Sequence, residues 1–170
     1  KSDMILKLVD QPLEFLDVIS ELQTLLDQYQ KKPKGHNFEN LFRSFHTIKA
    51  RLANFKISDI VKRIHTIEED LFLLMDRERG KLLENKEDKG VSENLIRTRV
   101  SEKEDQTIEK DVSFKIHNLS LFLHDFLKTN RKIIELAQSC LNSGEKFEEL
   151  HKAKEEILRF NEVIMKNFVN

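Results

Sequence analysis

Two apolar stripes follow one another near the middle of the chain with almost nothing between them. Leu41, Phe45, Ile48, Leu52 and Phe55 recur every three or four residues, and at roughly 100° per residue they fall within about 40° of one line. Ile57, Ile60, Ile64, Ile67, Leu71 and Leu74 then repeat the pattern. Each stripe is one buried face of an α-helix. Only the neighbourhood of Lys56–Ser58 is left for a turn, so the two helices are expected to lie side by side and antiparallel. No stretch alternates with the two-residue period of a half-buried strand. Four glycines and two prolines in 170 residues, with 35% of the chain charged, complete the case for long helices. The expected class is all-α, an antiparallel helical bundle in a single domain.

Further helices can be placed around this pair. The first begins near Pro12, a favoured first-turn residue, and runs through Leu16, Ile19, Leu22 and Leu26 to the breaker "KKPKG" at 31–35. Residues 1–11, with Leu6 and Val9, can extend it backwards. The second follows Asn37, a suitable N-cap, and ends near Phe55. The third opens at Ser58 or Asp59 and reaches at least Arg79. A fourth covers about 112–141 and stops at "NSG" (142–144), where Gly144 can take a left-handed conformation. The last spans about 146–168. Between 80 and 110 charged residues dominate. That segment is read as a solvated connector or helix extension, with Leu82, Leu83, Leu95, Ile96 and Val100 able to support partial helix. If the third helix continues into it, a hairpin protrudes from the bundle.

A net charge of −1 predicts neither nucleic acid nor an anionic membrane as the main partner. No apolar run approaches the roughly 20 residues of a membrane span, and no leader peptide is legible. The chain begins at Lys1, which reads as a piece of a longer polypeptide. Cys140 is the single cysteine. It is expected to be a small apolar filler in a reducing, cytoplasmic setting.

Within the two central helices one phrase occurs twice with one letter changed, H-T-I-K at 46–49 and H-T-I-E at 65–68. His46 and His65 each fall about 140° from their helix's apolar line, and Lys49 and Glu68 about 80° from it. Neither histidine belongs to the core. His46 lies 11 residues before Ile57 and Glu68 lies 11 after, so both stand about 16 Å from the turn and are level with each other. A carboxylate beside an exposed imidazole can accept its Nδ1–H and leave the Nε2 lone pair outward as a nucleophile. Lys49, one turn from His46, offers positive charge to an incoming phosphate. The pattern suits a site that carries a phosphoryl group.

These residues resemble the histidine-containing phosphotransfer domains, most closely the N-terminal phosphotransfer domain of chemotaxis-type histidine kinases. The family pattern "F-R-x-x-H-x-I-K-G" reads "FRSFHTIKA" here, with Phe42, Arg43, His46, Ile48 and Lys49 in place. The following helix carries the family's histidine and, three residues on, its glutamate, as His65 and Glu68. "EEDLFLLMDRERG" is similar to the family's "E-x-L-L-D-x-x-R-x-G", and "SLFLHDFLKTNRKIIELAQSCLNSG" resembles its fourth helix. The resemblance implies a four-helix core plus an additional helix. It implies that His46 accepts and donates the phosphoryl group through Nε2, that Glu68 orients the ring, and that Lys49 and His65 complete a polar network. The partners implied are a histidine kinase catalytic domain and a response-regulator receiver domain. ATP and Mg²⁺ would belong to the kinase and Mg²⁺ to the receiver, with no cofactor or metal bound here. This chain alone would be a phosphoacceptor and not a catalyst, although its parent could be a histidine kinase.

The sequence departs from the family at three places. Ala50 replaces the glycine after the lysine, Arg51 follows it, and Lys56 replaces the glycine of the turn. Arg51 is expected to crowd the imidazole or to reach a partner's acidic pocket. Lys56 costs stability if its position needs positive φ. Phe42 and Phe72 fall about 100° and 120° from their apolar lines and read as boundary core, or as the border of a docking patch. His36, His117, His124 and His151 read as surface or satisfied helix residues and not as functional ones. Two other functions are open to such a chain. A degenerate bundle would serve as a non-phosphorylated interaction or dimerisation scaffold. A two-metal enzyme would need a second carboxylate where Lys49 stands, and an ammonium has no lone pair to give.

Overall fold

The computed structural model describes residues 2–32, 35–84, 93–142 and 146–168. It is all-helical: α1 (Ser2–Asp10), α2 (Pro12–Lys31), α3 (Phe38–Asn54), α4 (Ser58–Glu84), α5 (Glu93–Thr129), α6 (Arg131–Asn142) and α7 (Lys146–Phe168). No strand occurs among the described residues. No described helix is long and apolar enough to cross a membrane.

Local chemistry sets most of the boundaries. Pro12 opens α2, because its missing N–H is one that a first turn leaves unpaired anyway. Gln11 therefore separates α2 from the short helix α1. At α3 the side chain of Asn37 accepts from the backbone N–H of Asn40 at 2.9 Å, satisfying one orphan donor of the first turn. The α3–α4 turn is only Phe55–Ile57. Lys56 sits there with φ 57°, the single positive φ among described non-glycine residues. Its N–H reaches Ala53 O at 3.1 Å, a common way to end a helix, although glycine usually supplies the left-handed residue.

The expected fourth helix, about 112–141, differs in two ways. Helix α5 begins at Glu93, and a break at Asn130 divides it from α6. Asn130 is buried at 6% exposure. Its Nδ2 donates to Phe126 O at 2.8 Å, while its own carbonyl accepts from the N–H groups of Ile133 and Ile134. One residue thus ends one helix and starts the next, and the local pairing outweighs the continuous apolar period. The charged 80–110 stretch is helical wherever it is described. Arg77 donates to Glu104 at 2.8 Å and Asp105 at 3.1 Å, and Lys115 reaches Asp70 at 2.6 Å. Positions therefore rise along α4 as their partners fall along α5. The tip of this hairpin and Gly144 lie outside the described residues. So do the side chains of Val9, Leu82, Leu83, Leu95, Ile96, Val100 and Cys140.

The core gathers one stripe from each of five helices. Met4 and Leu8 come from α1, and Phe15, Val18, Leu22 and Leu26 from α2. Every residue of the α3 and α4 stripes predicted from the sequence is buried, joined by Val112, Ile116, Leu119 and Leu123 of α5. Phe15 and Phe55 meet edge to face with centroids 5.3 Å apart, an arrangement aromatic quadrupoles favour. Helix α3 packs most extensively on α4, and α4 on α5. The pair that carries the histidines is thus the best-supported part of the molecule.

Candidate functional site

Packing α3 against α4 brings His46 and Glu68 together on one flank. His46 Nδ1 lies 3.0 Å from Glu68 Oε1, and the Lys49 ammonium donates to Glu68 Oε2. An ionised carboxylate only accepts, so this contact suits the tautomer with its proton on Nδ1, in which the Nε2 lone pair is not engaged by Glu68. Exposure sorts the three roles: His46 is 61% exposed, Lys49 22% and Glu68 only 4%. The sequence placed Glu68 about 80° from the buried line of α4, yet it is buried. The wheel of one helix records the direction of the main core, whereas Glu68 faces the neighbouring helix. Each of its oxygens has a charged or polar partner, as burial of a carboxylate requires.

His65 stands at the edge of this group. Its Nδ1 is 3.7 Å from Glu68 Oε2 and its Nε2 is 3.6 Å from Glu69 Oε1, close enough for electrostatic attraction but too long for hydrogen bonds. The two-histidine motif therefore converges on one carboxylate, with His46 bonded to it and His65 beside it. Phe42, one turn before His46, lies parallel to the imidazole, with centroids 5.8 Å apart and planes at 13°. It is partly buried, as a boundary residue should be, whereas Phe72 is 57% exposed.

An open cleft of about 450 Å³ runs along this flank. His46, Lys49 and His65 border it, and Phe42, Phe72 and Leu73 supply apolar wall. Glu69 and Leu73 were not singled out from the sequence. Glu69 sits four residues after His65 and Leu73 four after Glu69, and that spacing was the available signal.

Arg51 corrects an expectation. It neither crowds the imidazole nor points into the cleft; its guanidinium turns to α2 and meets Glu14 at 2.7 Å together with Asp17 and Glu21. These carboxylates hold its proton more firmly, raising its pKa above the ordinary arginine value, first through the hydrogen bonds that Arg51 donates to Glu14 and Asp17. The side chain ties α3 to α2 and leaves the small Ala50 next to Lys49. The remaining histidines lie elsewhere. His36 stacks on Tyr29 with centroids 4.6 Å apart, and His117, His124 and His151 are exposed on their helices. No family model, curated protein or solved structure matches this chain.

Proposed function

We propose that this chain is the phosphotransfer module of a two-component relay, with His46 as the residue that receives and passes on the phosphoryl group. The observation that carries the proposal is the His46–Glu68–Lys49 arrangement: an exposed imidazole whose Nδ1 lies at hydrogen-bond distance from a buried carboxylate that Lys49 also engages. In the loading step the Nε2 lone pair attacks the γ-phosphorus of ATP held by a kinase domain. A P–N bond forms, the bridging P–O bond breaks, and ADP leaves. Positive charge developing on the imidazole is met by Glu68 across the Nδ1–H bond. In the unloading step a receiver aspartate oxygen attacks the same phosphorus, the P–N bond breaks, and neutral imidazole returns. Phosphoryl transfer asks for alignment and charge neutralisation, and Lys49 is placed to approach the phosphoryl oxygens. ATP and Mg²⁺ are supplied by the partners, in the cytoplasm where such relays operate.

Phe42 and Leu73 leave an apolar margin beside His46 on which a receiver domain can seat. The arrangement of Glu68 also argues against a metal centre, since one of its oxygens is taken by the Lys49 ammonium. The test is direct. Incubated with a phosphorylated receiver, or with a cognate kinase and ATP, the chain should gain an acid-labile, base-stable phosphoryl group that His46→Gln removes. Glu68→Gln should slow the transfer with helicity unchanged, and His65→Ala should slow it less. Labelling that persists in His46→Gln contradicts the assignment and returns the chain to a scaffold role.

A further inference from the structure

Helix α7 is held differently from the rest of the bundle. It packs on α1 and α6, and Lys154 anchors it to Asp10 of α1. Yet none of residues 151–167 is buried, and Ala153, Lys154, Ile157 and Asn161 reach only partial cover. Leu158, Phe160, Val163 and Met165 are 43 to 65% exposed. So dense a run of uncovered apolar side chains on a charged protein marks a contact surface.

The charges between them suggest what makes the contact. Glu155, Arg159, Glu162 and Lys166 fall within an arc of about 60° directly away from the bundle. Leu158 and Met165 flank that arc on one side. Val163 flanks it on the other, with Phe160 beyond. Among the described residues no ion pair engages Arg159, Glu162 or Lys166, and Glu155 has only His151 at 3.9 Å. Read along the helix the signs run minus, plus, minus, plus, so a copy running the opposite way presents the opposite sign at every level. Glu155 then meets Lys166 of the second copy, and Arg159 meets its Glu162.

A two-fold axis perpendicular to α7 keeps each flank facing its own counterpart. Leu158 then comes level with Met165 of the other copy, and Phe160 with its Val163. The charge pairs and the apolar pairs call for axes that differ by about one residue, or about 1.5 Å. A closed two-fold contact needs this self-complementarity. A parallel arrangement would set like charges against each other.

We infer that α7 is a homodimerisation surface, pairing antiparallel with α7 of a second copy about a two-fold axis near Asn161. The apolar flanks supply the attraction and the charges fix the register, in the way polar positions set orientation in paired helices. A single-helix contact lies at the small end of protein interfaces, so the dimer is weak and concentration-dependent. It is independent of the phosphotransfer reading, since the His46 cluster is carried by α3 and α4. Its failure would leave that reading untouched.

Sedimentation equilibrium of the full chain over a concentration series tests it. The expected result is a rise from the monomer mass of 20.1 kDa towards twice that value in the tens to hundreds of micromolar. Arg159→Glu and Glu162→Arg should each weaken association at least tenfold. The two single variants mixed, or both changes in one chain, should restore it. Far-ultraviolet circular dichroism should show unchanged helicity in each. A monomer throughout the series overturns the inference, as does association indifferent to the single reversals. Single variants that weaken it without rescue by the double change refute the antiparallel register and with it the proposal.

Discussion

Lys56 is the place where a local rule is broken under the site, and the cost of breaking it can be measured. At φ 57° its Cβ crowds the following carbonyl, at about 1–2 kcal/mol for a residue other than glycine. Lys56→Gly removes that strain but frees the unfolded chain, which returns about 0.5–1 kcal/mol. The net expectation is a gain of about 0.5–1 kcal/mol. For a chain of this size that is a rise of roughly 1–4 °C in Tm, or a urea midpoint higher by a few tenths molar at unchanged slope. Lys56→Ala is the discriminating control, because alanine keeps the Cβ and should leave the midpoint within about 0.5 kcal/mol of the parent. Lys56 is exposed, so loss of its ammonium cannot mimic the effect of glycine in one variant and not the other. Urea unfolding followed by helicity reads all three proteins. A glycine variant that is destabilised, or an alanine variant that gains as much as glycine, would refute the strain argument.

Arg51→Met retains the aliphatic stem but leaves Glu14, Asp17 and Glu21 without their shared cation. Because those carboxylates are largely exposed, each pair is worth a few tenths to about 1 kcal/mol. The variant should lose about 1 kcal/mol in low salt, and the loss should shrink in 1 M NaCl; a loss independent of salt would mean that packing, and not charge, ties α3 to α2. Asn130→Ala removes the bond to Phe126 O at the α5–α6 break. It should cost about 1 kcal/mol, read as a Tm lower by roughly 2–4 °C. An unchanged Tm would show that the backbone turn persists without the side chain.

The apolar periods of α3 and α4 placed each buried apolar residue of that hairpin, because a stripe of five or six large side chains has only one direction in which to point. The His46–Glu68 pairing was legible for a related reason: equal counts from a three-residue turn put the two residues level. What could not be read were decisions made between elements. Glu68 looked only flanking on its own helix and is buried because α3 covers it. Arg51 looked like a neighbour of the imidazole, whereas three carboxylates on α2, 30 or more residues earlier, claim it. The break at Asn130 is accompanied by a side-chain hydrogen bond to Phe126 O, together with backbone bonds from Ile133 and Ile134, that an uninterrupted apolar pattern conceals.

The central claim is that the His46 ring is held with its proton on Nδ1 and its reactive lone pair on Nε2. Nitrogen-15 NMR of the labelled imidazoles, before and after exposure to phosphoramidate, tests it without any partner protein. The chain should show His46 protonated at Nδ1 and then a single phosphoramide bond at His46 Nε2, formed as ammonia leaves. Phosphorylation at His46 Nδ1, at His65 in its place, or at no histidine would contradict it.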